Sequence, residues 1–523
     1  MPTAGTRPPH PNRSKRVALL KLSGPALAAL LAAASSGCTV GPDFSAPAPP
    51  PAARYTSPGE APLGEGATGA AIPAQTLSVG ERVTAEWWTL FHAPAIDRLV
   101  KEAVAGSPTL ESAAARLKAA QEAVAAVSGA LYPQVDFSAS VTRGKLNAAT
   151  FGLNPDRTPL PPNYNAYQLG PTVSYALDIF GGTRRQIEAK AASADAEGYR
   201  LDAAYQTLTG SVVTQALQVA AGRAQLQAIH DILDLDRQNL DLVRTERRAG
   251  SVPDTDVVSA QSQLATDETL LPGPEQQLDL ARHALAVLLG RAPGEWSPPD
   301  LDLAAVTLPG ALPVSLPSEL VHQRPDILAA EAQLHVASAE IGVATAQLYP
   351  SVTLSGSVGT AALDPGHLFN PAGLLWSIAG GLAEPVFDGG TRAAERRAAL
   401  AEFKAAAADY RQTVLEAFRQ VADTMQALSH DQQLLASQRV ALDVASDSVR
   451  LQRISYSGGG SGILPLLDAQ RQYQQARLGY VRAEAQRYQD TAQLLVAMGG
   501  GWWDANLAMA RADTGAARAG DGS

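Results

Sequence analysis

The sequence nearly lacks cysteine, with one among 523 residues. That excludes an intramolecular disulfide and any zinc site built on cysteines. Aromatic residues are scarce at 5%, although 46% of the chain is hydrophobic, so the apolar content is mostly small and aliphatic. Such a composition favours close helix–helix packing over large aromatic cores. No apolar run reaches the ~18–20 residues of a spanning helix, which excludes a polytopic helical membrane protein. Positive charge is also short: the net charge is −10, which argues against a nucleic-acid partner. The motifs of chemistry are missing too. There is no GxxxxGK[ST] phosphate loop and no HExxH, and the eight histidines show no metal-ligand spacing. Several Ser/Asp/His sets can be drawn, but none has a supporting motif. Neither an enzyme, a cofactor nor a metal is expected.

What is present begins with an address. Arg7, Arg13, Lys15 and Arg16 precede Val17-Ala18-Leu19-Leu20, Lys21 and an apolar stretch from Leu22 to Ala34. These are the basic and apolar regions of an export signal. It ends in Ser35-Ser36-Gly37-Cys38, and small residues before a lone cysteine resemble the bacterial lipoprotein processing site. By that resemblance residues 1–37 are removed and Cys38 carries a covalent lipid (palmitate among its acyl chains). Thr39 follows in place of an aspartate, so the protein is not retained at the inner membrane. Processing removes five basic residues and no acidic one, taking the charge from −10 to −15. Residues 38–80 are Pro/Ala/Gly-rich without periodicity and read as an extended tether.

The chain then repeats itself. Leu110, Ala113, Leu117, Ala120, Val124, Val127 and Leu131 recur as Ile327, Ala330, Leu334, Ala337, Ile341, Ala344 and Leu348 at a constant offset of 217. Both runs start after a proline (Pro108, Pro325) and end at Tyr-Pro (Tyr132-Pro133, Tyr349-Pro350). Steps of three and four mark a coiled-coil seam. After each Tyr-Pro the period becomes two. Val135, Phe137, Ala139 and Val141 alternate with polar residues, as do Tyr167, Leu169, Val173, Tyr175 and Leu177. The second half repeats this with Val352, Leu354 and Val358, then Leu374, Trp376, Ile378 and Leu382. These are strands with one apolar face, about the ~9–11 residues that cross an outer membrane at a tilt. Alternation alone fits a half-buried soluble sheet equally well. Residues 144–166, with Asn154-Pro155-Asp156 and Pro159 to Pro162, read as a long polar loop.

Each strand pair leads into a Gly-Gly turn (Gly181-Gly182, Gly389-Gly390) and then a proline-free helical stretch, about 183–249 and 391–456. Sixty-odd residues at ~1.5 Å each make roughly 100 Å, a length that no globular core requires. Return helices are expected at about 254–289 and 463–497. The layout is therefore tether, first repeat (81–290), Pro-rich linker (291–317), second repeat (318–498) and tail (499–523).

Against that layout, several short motifs resemble one family. They are Cys38-Thr39-Val40-Gly41-Pro42-Asp43-Phe44, Trp87-Trp88, Leu177-Asp178-Ile179-Phe180-Gly181, Arg324-Pro325-Asp326-Ile327 with Glu331, Leu466-Leu467-Asp468-Ala469-Gln470-Arg471 and Gly499-Gly500-Gly501-Trp502. In this order they resemble the TolC-type outer-membrane factors, specifically the efflux lipoproteins of the NodT/OprM kind. The resemblance implies a mostly α fold with a small β part. Each chain of a homotrimer would give four strands to a 12-stranded outer-membrane β-barrel continuous with a long α-helical periplasmic barrel of tandem repeats. Four strands cannot close a barrel, and an open edge cannot sit in lipid, so membrane strands here demand oligomerisation. The segments around 80–95, 291–317 and the C-terminus resemble the family's equatorial collar.

The implied function is passive conduction of small molecules, drugs and toxic compounds among them, out of the cell. Its partners would be a periplasmic adaptor (membrane fusion) protein and an inner-membrane pump of the RND type, less readily an ABC or MFS pump. The location would be the outer membrane, lipid-anchored and reaching into the periplasm. By the same resemblance the tunnel closes at its periplasmic tips. Tyr456 and Asp468 match the family's gate tyrosine and inner aspartate, and three copies of Asp468 would form a carboxylate ring that attracts cations. The outer aspartate falls on Pro465 and the gate arginine on Ser461, so this chain departs from the family there. Asp256 occupies the first-repeat position and is expected to bond Tyr456. The turns Gly250-Ser251-Val252 and Gly458-Gly459-Gly460-Ser461-Gly462 are the expected adaptor-docking sites. Two other readings are a duct for type I protein secretion and a lipid-tethered periplasmic coiled-coil scaffold.

Overall fold

The computed structural model describes residues 39–52, 54–57, 75–145, 163–500 and 502. Cys38, the loop residues 146–162 and most of the tail lie outside them. In chain order the elements are β1 (Thr76–Val79), α1 (Pro94–Gly106), α2 (Pro108–Ser128), β2 (Gln134–Gly144), β3 (Tyr164–Leu177), α3 (Gly182–Arg248), α4 (Asp254–Glu268) and α5 (Pro272–Leu288). There follow β4 (Ala311–Val314), α6 (Pro317–Leu320), α7 (Pro325–Ala346), β5 (Ser351–Ala362), β6 (Leu374–Ala383), α8 (Thr391–Ser457) and α9 (Ile463–Ala497). The chain divides into two compact units, one around residues 129–185 and 342–394 and one comprising the rest of the chain from Pro42.

The first unit is an antiparallel sheet in the order β2-β3-β5-β6. Its register aligns the apolar residues. Val135 faces Val173, Tyr175 faces Leu354, Val358 faces Trp376 and Val352 faces Leu382. The opposite face carries Ser138, Ser140, Thr172, Ser174, Ser355 and Ser377, so each strand separates apolar from polar by its period of two. The apolar face is bare: Phe137 is 70% exposed, Trp376 71% and Ile378 82%. Among the described residues, β2 and β6 have no neighbour on their outer edges. Gly170 and Gly359 meet across β3 and β5, where a Cβ on Gly170 would sit 2.3 Å from the Val358 carbonyl oxygen. Only glycine fits so close a backbone approach.

The strands hand over to the long helices through aspartate caps. Asp178 accepts hydrogen bonds from the Thr183 and Arg184 amides at 2.9 and 3.0 Å. Asp388 does the same for Gly390 and Arg392 at 2.8 and 3.1 Å. Each satisfies amide donors that a helix start leaves free. The chain that follows Cys38 is pinned here as well. The Val40 amide donates to the Phe180 carbonyl at 3.2 Å, and Arg185 Nε donates to the Val40 carbonyl at 3.2 Å.

In the second unit the main core gathers Trp87, Phe91, Ile96, Leu99, Leu285, Leu312, Leu320 and Leu495, all at most 2% exposed. Segments called tether and linker enter that core. Thr76–Val79 pairs in parallel with Ala311–Val314. This short ladder lies at the end of the tether, where little regular structure is expected, and ties it to the Pro-rich linker 291–317. Four-residue strands carry too little periodicity to be read, and their pairing partner is remote. Arg324 is buried and holds Asp326 through two bonds, the Ala497 carbonyl at 3.0 Å and Gln420 at 2.9 Å. The Arg-Pro-Asp motif therefore locks the start of α7 to the end of α9. The return helix expected at 254–289 is two helices, broken at Thr269–Leu271. Pro272 lacks the amide that would continue the ladder and instead opens α5.

Candidate functional site

The tips of the long helices are built alike. At the first, the Ser251 amide bonds the Glu246 carbonyl at 2.9 Å and the Gly250 amide bonds that of Arg247 at 3.0 Å. At the second, the Gly460 amide bonds Ser455 at 2.8 Å and the Gly459 amide bonds Tyr456 at 3.0 Å. Each is a Schellman cap with its glycine left-handed, at φ +76° for Gly250 and +75° for Gly459. A Cβ on either glycine would meet nothing within 4 Å, so both turns present open backbone.

Beneath the turns lies a small apolar cluster of Val243, Ile463, Leu466 and Leu467, joined by Val252, Val257 and Tyr456. It packs the two tips of one chain together. Arg247 and Asp254 close the first turn through a two-bond ion pair at 2.6 and 2.9 Å. That guanidinium holds the Asp254 carboxyl below its ordinary range. Pro465 stands in the first turn of α9, where a missing amide removes no helical bond. Ser461 is half-buried beside it.

Tyr456 bonds Glu246, not Asp256, which corrects the expected pairing. Glu246 sits on the last turn of α3 and reaches the hydroxyl directly. Asp256, in the first turn of α4, is half-buried nearby and acts on Tyr456 only through its charge. Burial first, then Glu246 and Asp256, push the Tyr456 phenol well above its usual range, so it stays a donor. Asp468 is exposed and bonded within its own helix, to Arg471 and to Gln472 at 2.8 Å. It makes no bond to Tyr456 in the single chain. Sequence reasoning missed Glu246. A signal existed: superposing the two glycine caps sets Glu246 beside the position matched by Tyr456.

Among the described residues no group of three or more His, Cys, Asp or Glu side chains is placed to hold a metal. Nor is any described helix long and apolar enough to cross a membrane.

The family described as "Outer membrane efflux protein" matches residues 99–291 and 316–500. The chain is similar to the pyoverdine export outer membrane protein OpmQ of Pseudomonas aeruginosa, 31% identical over 82% of this chain and 90% of OpmQ. It is also similar to nodulation protein T of Rhizobium leguminosarum bv. trifolii, 26% identical over 89% of this chain and 95% of that one. Among solved structures, the outer-membrane channel OprN shares 31% identity at a TM-score of 0.77 and covers 89% of this chain and 100% of its own. The outer membrane protein VceC of Vibrio cholerae shares 25% identity at a TM-score of 0.73, over 80% of this chain and 100% of its own.

Proposed function

The chain belongs to the outer membrane efflux protein family, and on that premise we propose that three copies complete one tunnel served by an adaptor and a pump. The protein is an outer-membrane efflux channel of a tripartite system and conducts passively. The observation that carries the trimer is the sheet. Among the described residues it has four strands, a continuous apolar face and two open edges. Unpaired amides and carbonyls cannot face lipid, so the edges must close on other copies. Twelve strands then enclose a lumen lined by the Ser/Thr face.

At the other end of the long helices, the two Schellman turns offer glycine backbone that a helical hairpin of a periplasmic adaptor can approach closely. The lipoprotein start favours small-molecule efflux over protein secretion, and the proposed pump is of the RND type. OpmQ is named for pyoverdine export, and small organic molecules are accordingly the proposed cargo here, with selection left to the pump. Cys38 carries the lipid under this reading. Thr39 supports it: the residue packs against Gly181 beside the strand ends, and an added Cβ there would meet its Cγ2 at 2.3 Å.

The test is the oligomeric state and outline of the detergent-extracted mature protein, by light scattering and negative-stain microscopy. An elongated trimer is expected. A monomer that extracts without detergent would overturn the proposal.

A further inference from the structure

The interior seam of α3 runs Ile229, Ile232, Asp236, Leu240, Val243, in steps of three and four, and every member is at most 6% exposed. An aspartate thus occupies a position reserved for apolar side chains. Its neighbour across the interface is Asp267, in the last turn of α4 and also 6% exposed. The two carboxyl groups lie in one buried network, in which Gln263 donates to Asp267 and, at 3.5 Å, to Gln474, and Gln474 donates to Asp236, and the nearness of Asp267 favours a proton on Asp236.

Among the described residues, the side chains bonded to the pair are amides. Gln474 of α9 donates to Asp236 at 3.2 and 3.4 Å, and Gln263 of α4 donates to Asp267 at 2.7 Å. Asn239 donates to Gln470 at 2.8 Å on the next turn. The nearby charges are engaged elsewhere. Arg237 of α3 pairs with Asp234 and Glu268, and Arg477 of α9 pairs with Asp231 and contacts Tyr473. An apolar layer of Ile229, Ile232, Leu233 and Leu478 adjoins the pair. Burial, then the neighbouring carboxyl, raise Asp236 to about 8, and Gln474 only partly offsets them.

We infer that Asp236 and Asp267 hold one proton between them as a clasp that seats α4 on α3, and that losing this proton frees α4 together with the turn at its N-terminal end. With the proton, the pair carries one negative charge within that amide network. Without it, two buried negative charges face each other, and the side chains bonded to them are neutral amides. The inference concerns the fold of α4 and does not depend on conduction.

The sign follows from proton counting. The seated state keeps the proton up to about pH 8, whereas freed carboxylates lose it near pH 4. Unseating therefore becomes easier by up to about tenfold per pH unit between those limits and levels off above them.

Hydrogen–deuterium exchange of the full-length, detergent-extracted protein tests this, read in peptides within 254–268 and corrected for intrinsic exchange. Protection should fall by up to about tenfold per unit from about pH 5 to 8 and then flatten. Asp267→Asn and Asp236→Asn each replace the proton with a permanent amide donor, so protection should become flat in pH. Three outcomes overturn the clasp: a flat wild-type profile, a slope that survives in both variants, or variants that fail to assemble even though asparagine reproduces the neutral state. A second buried pair, Asp431 with Asp490, lies between α8 and α9 beside Arg487, and its response would be confined to peptides of those helices.

Discussion

Tyr456 on α8 donates its hydroxyl to Glu246 on α3, a residue 210 positions earlier in the chain. The bond joins the last turns of the two long helices, one from each repeat. Separating the tips requires breaking it.

Tyr456→Phe should therefore favour the open tunnel. A half-buried bond of this kind is worth ~1 kcal/mol, or about fivefold in the ratio of open to closed states. Glu246→Gln keeps an acceptor and should shift the ratio less. Single-channel open probability in planar bilayers measures both, and a Tyr456→Phe channel that opens no more than wild type would remove the bond from the gate.

Asp468 is exposed and shares its carboxylate with Arg471 on its own helix. If three copies form a ring at the constriction, Asp468→Ala should raise conductance and weaken block by multivalent cations. Arg471→Ala should strengthen that block by uncovering the carboxylates. Unchanged conductance and unchanged block in both variants would place Asp468 outside the lumen.

Gly250→Glu and Gly459→Glu test the docking turns. Each adds a charged side chain in open space at a backbone angle that disfavours it, at a local strain of ~1 kcal/mol. The helices carry many other contacts, so trimers should still reach the outer membrane while dye efflux is lost. Normal efflux with full trimer levels would show that the adaptor docks elsewhere.

Neighbours on β6 test the two faces of the sheet. Ile378→Arg places a charge on the apolar face near the strand's centre, at an expected ~2–4 kcal/mol, and should reduce the folded protein recovered from outer membranes. Ser377→Arg points the other way and should be tolerated, with altered ion selectivity. Equal damage from both would mean that the two faces are not lipid and lumen.

Much of the fold was written in local periodicity. The seven-position repeat at offset 217 locates α2 and α7, and alternation locates β2, β3, β5 and β6, because both patterns reflect one face turned to an apolar environment. The glycine caps were legible for the same reason, since a left-handed residue leaves its mark within a few positions. Asp236 was also visible in principle, as a charge on an apolar seam, but its partner on α4 was not.

The sequence by itself determined which segments are helix, which are strand, where the long helices turn and which family the chain resembles. Each of these depends on residues within one or two turns of each other. The tertiary structure alone decided the partners. It set Glu246 rather than Asp256 against Tyr456, joined Thr76–Val79 to Ala311–Val314, and placed Asp267 against Asp236. Those choices turn on distances between residues far apart in the chain. A carboxylate on either of two helices satisfies the same hydroxyl equally well in chemical terms, and only the packing of the helices selects between them.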